Sequence, residues 1–413
     1  MSNLNPSGLG SLRACVDAKG PRTCVFEVGG EIPLTGELKI QNPYLTIAGQ
    51  TAPWPGITLT NHGMLAFTND VLIQHIRIRP GCRVTKAHDA AGVNAGYRDV
   101  YNVVYDHVSV SWSGDENIGH WSGNNKIYKV DYLDSIIAEP LNSCHSKPGH
   151  AVNMLIQEGQ KDISVTRSLF AHALGRNPHA RSGSIFFGNN VIYNTRHEHT
   201  ALASTRGPVV ASVVGNIYMT GPSYMYNTPI MNDGTDTTLY LEGNVEVGFK
   251  ESNHMTKGGV KFETPWDFVG GATPVKVKGT SPPIWPKGYQ LIPSSQHPKQ
   301  YNQVLDYVLQ NSGARRADKD PVDERIIESV VKRSGKIIET EADVGGYPQL
   351  KPTRHKLNIP ANPNRDDNGD GYTNLENWLH ELALKVQGGS QVSKLNPPTK
   401  PEPLRLQVQQ QTE

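Results

Sequence analysis

Between Asp106 and Arg181 the sequence sets out acids first and cations last. The run NVVYDHVSVSW carries Asp106 and His107 among alternating apolar residues, DENIG follows with Asp115 and Glu116, HSKPGH supplies Lys147 and His150, and GRNPHARSG supplies Arg176 and Arg181. Clustered carboxylates suit a hard divalent cation such as calcium, which takes oxygen ligands, and fixed cations suit an anionic substrate. Asp106 sits in a strand otherwise rich in Val and Tyr, where an unpaired carboxylate is costly to bury; a metal-ligand role removes that cost. The expectation is one cleft holding acids from adjoining turns of the chain together with both arginines.

The elements that must position these groups are short β-branched runs. PYLTIAGQ, DVLIQHIRI, NVVYDHVSV, KVDYLDSII, DISVTRSLF, SIFFGNNVIY, PVVASVVGNIY and TLYLEGNVEV recur between loops of turn-forming residues. With His75, His107, Ser135, Ser168, Asn190, Asn216 and Asn244 taken as equivalent, the unit returns every 22 to 33 residues. That period marks a solenoid, and it is too short for propeller blades of about 40 residues. Helical patterns are missing between the strands, which excludes an alternating βαβ sheet. The fold expected is all-β, a right-handed parallel β-helix. Asn190, Asn216 and Asn244 are read as a structural ladder, since stacked amides bond to one another along the axis.

Residues 11–19 read as a short amphipathic helix stopped by Gly20, a cap for the solenoid. The coils are assigned to 1–265. Residues 266–388 form a C-terminal extension packing on the solenoid, opening with a Pro/Gly-rich extended crossing. Two helices follow: YNQVLDYVLQNSG, and DPVDERIIESVVKRSG with an Asp320 cap, Pro321 at its first position and charges that complement the helix dipole. RDDNGDGYTNLEN places Asp366, Asn368 and Asp370 at EF-hand-like spacing with Glu376 one residue early, a second candidate calcium site; a solvated Asp/Asn turn capping the last helix is the alternative. Residues 389–413 read as a disordered tail.

Composition bounds the partners. Forty basic residues against thirty-nine acidic give a net charge of +1 over 413 residues, which argues against a nucleic-acid coat. No apolar run is long enough to span a membrane. The first residues lack the charged flank and apolar run of a secretory leader, so the protein is either cytosolic or begins after a removed leader. The four cysteines allow three pairings; Cys15 with Cys24 closes a short loop, and Cys82 and Cys144 lie in turns. Their placement in loops favours an oxidising compartment, secreted or periplasmic. A monomer is expected.

NPYLTIAGQTAPWPGITL, VVYDHVSVSW and RNPHAR, in that order, resemble the pectate lyases, polysaccharide lyases with a parallel β-helix fold. The resemblance covers roughly residues 8–260 as coils and 300–380 as a tail. It implies calcium-dependent β-elimination of 1,4-linked galacturonan, with Asp106 and Asp115 as calcium ligands, Arg176 as the base at C5, and Lys147 and Arg181, with His150, holding substrate carboxylates. One feature departs from the family's Asp-x-x-x-Asp: Asp115 is followed four residues later by Gly119. Glu116 or Glu139 fills that place, or the substrate's own carboxylate does.

The residues leave the base open. A guanidinium accepts no proton unless neighbouring cations drive one off, so His150, His172 and His179 are rivals to Arg176. Two other functions compete: a non-catalytic carbohydrate-binding β-helix, favoured by the missing carboxylate, and a glycoside hydrolase, which needs two carboxylates in separate roles.

Overall fold

The computed structural model describes residues 1–83, 88–144, 148–225, 228–248, 269–270, 277–278, 281–292 and 298–388. Each turn of the chain gives one short strand to each of three parallel sheets. The first sheet runs from Arg22–Val25 through Val100–Asp106 and Gln160–Thr166 to Val277–Lys278. The second runs from Val28–Pro33 to Val245–Val247, and the third from Leu38–Ile40 through Glu116–Trp121 and Val152–Ile156 to Val269–Gly270. The fold is the expected parallel β-helix. Parallel strands cannot be joined by tight hairpins, and here the other two sheets are the crossover. The repeat also runs past residue 265, because Val269–Gly270 and Val277–Lys278 still pair with the coil before them.

Between first and second sheets the chain turns on a single residue in the left-handed region: His75, His107, Asp134, Arg167 and Asn189, with φ from 46° to 57°. Asn and Asp tolerate this conformation best; elsewhere the turn is held because backbone bonds to the next coil fix it, as in His75 N–H to Asp106 O (3.2 Å) and Arg167 N–H to Gly188 O (3.1 Å). The next residue in each coil forms the ladder. Asn190 donates to Asn216 and Asn216 to Asn244, both at 3.0 Å, and the Asn190 backbone N–H reaches Asn216 at 2.8 Å. His75 and His107 belong one position earlier than the sequence alignment put them. They share the corner column with Asp134 and Arg167, their rings stacked 5.0 Å apart, while Val108 N–H donates to Ser135 Oγ at the ladder position.

Side chains pointing inward from all three sheets make a continuous core that includes Ile73, Val103, Tyr105, Ile118, Tyr132, Val165 and Phe187. Each fully buried aliphatic or aromatic side chain contributes about 1.5–3 kcal/mol. At the N-terminal end α1 (Leu12–Asp17), capped by Ser11 and burying Leu12 and Val16, covers the first coil and is tied to it by Cys15–Cys24.

The C-terminal extension lies against the second sheet. Its helices are α2 (Pro298–Asn311) and α3 (Pro321–Lys332), whose Val304, Val308, Ile326 and Val330 pack on Ile136, Leu169 and Val191. Asp320 caps α3 as expected. With Asp323 it also neutralises Arg79, which is fully buried in the second sheet. Removing one partner of such a pair leaves an uncompensated buried charge, so the helix cap and the docking surface are one device. Part of the expected crossing lies within the described residues: Trp285 and Tyr289 pack edge-on against Phe186 of the first sheet. Residues 389–413 lie outside the described residues.

Candidate active site

The loops leading from the second sheet into the third bring acids from two coils together. Asp89 precedes the strand Ala91–Asn94, and Asp115 and Glu116 open the strand Glu116–Trp121 one coil later. Glu116 N–H donates to Asp89 Oδ1 at 3.3 Å, and Asp115 N–H donates to Ser113 Oγ at 3.3 Å. From the following coil His150 Nε2 lies 3.0 Å from Asp115 Oδ1 and 3.6 Å from Glu116 Oε1. Arg176, one coil further on, donates from Nη1 to Glu116 Oε1. Four successive coils thus supply one group of charges.

Gly119 explains the carboxylate missing from the sequence pattern. A Cβ there would stand 1.9 Å from Asp89 Oδ2. The space a side chain at 119 would need is filled by an acid from the preceding coil. Asp89 escaped the sequence reading because HDAAG reads as a plain loop. Aligning AGVN with IGHW, which the sheet pairs directly, sets Asp89 opposite Glu116 and is the signal that finds it.

Burial, with Glu116 and then Asp115 nearby, pushes the Asp89 carboxyl well above the usual carboxylate range. Hydrogen bonds to Asp115 and Glu116 raise His150 to about 9, against its partial burial and the charge of Arg176. The acids therefore gather positive charge from side chains. Ligand atoms of Asp115, Glu116 and His150 lie within 4.8 Å of one another, and with Asp89 the oxygen-rich donor set fits a calcium ion.

Arg176 adopts φ 60°, and its carbonyl accepts from Met154 N–H at 2.8 Å, which fixes where its side chain leaves the backbone. Beyond it His179 faces outward on the third sheet. Burial, then Arg176 and Arg181, lower it to about 4, so it is neutral at physiological pH. Arg181 follows the strand His179–Ala180, 3.4 Å from Glu158. Lys147 lies outside the described residues.

Known proteins of similar sequence give the family. A probable pectate lyase C from Aspergillus flavus is 32% identical over 411 residues, covering 92% of this chain and 88% of the relative. One from Aspergillus oryzae is 31% identical over the same shares. The chain belongs to the pectate lyase family. Among solved structures, the major allergen from cedar pollen aligns with TM-score 0.50 and 14% identity over 76% of this chain and 87% of that one, a likeness of fold. No protein-family model matches the chain.

Within this pectate lyase, Asp106 and Arg176 do not share a cleft, and the expectation that they would is corrected. Asp106 ends a first-sheet strand at the opposite corner of the coil, accepting from Gln74 Nε2 at 2.8 Å and bonded to His107 Nδ1 at 2.6 Å. Burial alone would raise its carboxyl; His107 outweighs burial and holds it well below the usual range. Its neighbours His107 and Asp134 make a second group of ligand atoms, but Asp134 is held bidentately by Arg167. The cluster therefore reads as a chain of ion pairs. Asp106→Asn is expected to cost stability on the order of 1–3 kcal/mol, for the loss of a buried charged hydrogen bond, and to leave turnover within about 2-fold. Urea melts and initial rates on the one variant check both, and a collapse of rate with stability intact would return Asp106 to the site.

Glu139 is likewise not at the site. Arg325 of α3 grips it through both nitrogens and Trp112 Nε1 donates to it at 3.1 Å. It anchors the extension. His172 is buried between Ser329 Oγ and Asn194 Nδ2 and has no access to substrate. In the C-terminal loop Asp366 accepts from Gly369 and Gly371 N–H, Asp370 from Tyr372 N–H, and Asn368 bonds to Asp370. Glu376 closes a capping box with Thr373 on α4 (Asn374–Val386). The loop is an Asp/Asn-rich turn running into the cap of α4, with Asp366, Asn368 and Asp370 exposed on it.

Proposed function

We propose that this enzyme cleaves pectate, or a related polyuronate, by calcium-dependent β-elimination, with Asp89, Asp115 and Glu116 as the protein's ligands. The observation that carries this reading is the convergence of three carboxylates from two coils beside Arg176. Calcium bound there supplies a positive charge for the substrate carboxylate and for the negative charge that develops when C5 loses its proton. The acids are otherwise balanced by His150 and Arg176, which are free to turn to substrate carboxylates once the acids are engaged.

Arg176 is the group assigned to the C5 proton. Its guanidinium donates to Glu116, and a protonated guanidinium has no acceptor, so proton transfer requires Glu116 to be held elsewhere and other cations to crowd Arg176. Lys147 and Arg181 are assigned to carboxylates of the chain-like substrate. Two disulfides fit action outside the reducing cytosol, and no helix among the described residues is long and apolar enough to cross a membrane.

Polygalacturonate with calcium should give the ultraviolet absorbance of an unsaturated uronate, and a chelator should abolish it. New reducing ends without that absorbance would make the enzyme a hydrolase. Binding without cleavage would make it a lectin-like scaffold.

A further inference from the structure

A second ladder of amides runs inside the solenoid directly beneath the charged group. Asn117, Asn153 and Asn177 are each fully buried on successive coils. Asn117 Nδ2 donates to Asn153 Oδ1 at 2.8 Å, Asn153 Nδ2 to Asn177 Oδ1 at 2.7 Å, and Asn177 Nδ2 to Thr195 Oγ1 at 3.1 Å. Each amide thus donates toward the next coil.

The rungs stand next to the residues that carry charge. Asn117 follows Glu116; its Oδ1 accepts from Ser113 N–H at 3.2 Å and its Nδ2 also donates to Ala138 O at 3.0 Å, closing the loop that presents Asp115. Asn177 follows Arg176 and is pinned by its own N–H to His199 O at 2.8 Å. Asn153 lies between, with its backbone N–H on Gly175 O. The acids sit on one end of this ladder and the arginine on the other. The backbone ladder fixes the register of these strands, and the interior side-chain bonds hold their leading ends, which carry the charged residues, at a fixed separation.

We propose that Asn117, Asn153 and Asn177 are positioning residues that set the spacing between the acid group and Arg176, with Asn153 as the link between the two halves. The proposal rests on the reading of the site given above. A misplacement of about 1 Å costs on the order of 100-fold in rate when reacting groups must meet, so the ladder is worth more to turnover than to substrate binding.

Asn216, in the corner ladder, supplies a matched control: it too is fully buried and donates to the amide of the next coil, but it lies at the corner of first and second sheets. Asn153→Leu should lower kcat on the order of 10- to 100-fold with KM changed less than about 3-fold. Asn216→Leu should lower Tm by a similar amount and leave kcat near wild type. Asn153→Ser, which keeps a donor and an acceptor, should recover part of the rate. Equal loss of kcat in both Leu variants, or none in Asn153→Leu, overturns the positioning role. Crystal structures of the two Leu variants supply a reading independent of chemistry: the Glu116–Arg176 contact should be displaced in Asn153→Leu and kept in Asn216→Leu. An intact contact in both sinks the ladder's role whatever the enzyme acts on, whereas a wild type that makes no unsaturated product sinks only the lyase reading.

Discussion

Asp89→Asn should fold like the wild type and fail to turn over pectate at calcium concentrations that saturate the parent enzyme. The carboxyl of Asp89 is pushed well above the usual range by burial and by Glu116 and Asp115. A buried acid in that state is matched in shape and hydrogen bonding by an amide, so the substitution leaves packing and the space over Gly119 unchanged. What it removes is the negative charge offered to a cation. Losing an outer-shell partner of a metal costs 10- to 100-fold in affinity, and losing a charged oxygen ligand should cost at least about 100-fold. Calorimetric calcium titration and initial rates against calcium measure this directly. The assignment of Asp89 fails if half-saturation moves by less than about 3-fold while the melting temperature is unchanged.

Acidification should unfold the protein well before its carboxylates titrate. His75, His120, His172 and His199 are buried and neutral, lowered by burial to about 3, 4, 4 and 3. In the unfolded chain each takes up a proton near pH 6.5, while the folded protein does not. Stability from these groups is therefore lost as pH falls through 6.5 toward 4. At pH 5 the penalty is about 2 kcal/mol for each, several kcal/mol together, a large share of a typical folding free energy. Groups of opposite sign do not cancel it. His150 is raised, so its contribution is fully present below pH 6.5 and is lost only as pH rises through about 9. Asp131, raised to about 6, Asp89 and the raised His107 favour the folded state at low pH, while His179, lowered to about 4, adds to the loss. Asp106 and Asp320 are lowered, and their stabilisation is lost only at still lower pH. Thermal melts from pH 7.5 to 4.5 should show a steep fall in Tm below 6.5. A flat profile over that window would mean that these rings are reached by protons in the folded state.

The solenoid was legible because its strands follow a two-residue alternation and its corner asparagines bond to their own kind, both local signals. α1, α3 and the Asp320 cap were readable for the same reason. The site was harder. Asp-His at the end of a strand looks the same in sequence whether that end lies in a cleft or at the opposite corner, and only the register of coils places Asp106 at the latter. Glu139 gave no sign of Arg325, 186 residues away in sequence. Asp89 carries no periodic pattern of its own; its meaning comes from lying opposite Glu116 and filling the space beside Gly119. Arg176, Glu116, Asp115 and His150, by contrast, sit immediately before third-sheet strands, where the coil repeat delivers them to one edge.

Cys82–Cys144 crosses a whole coil to join two loops, one ending at Asp89 and the other at His150. Cys144 is buried in the cluster that seats the C-terminal helices and Cys82 packs against it, while the interior of the solenoid and both ladders lie elsewhere, so a thiol-reducing host can deliver a well-formed solenoid with these two coils unfastened. Soluble yield and circular dichroism would score such a preparation as sound. Production of this enzyme for assay therefore belongs in an oxidising host, with the absence of free thiols checked before any low activity is blamed on the active-site residues.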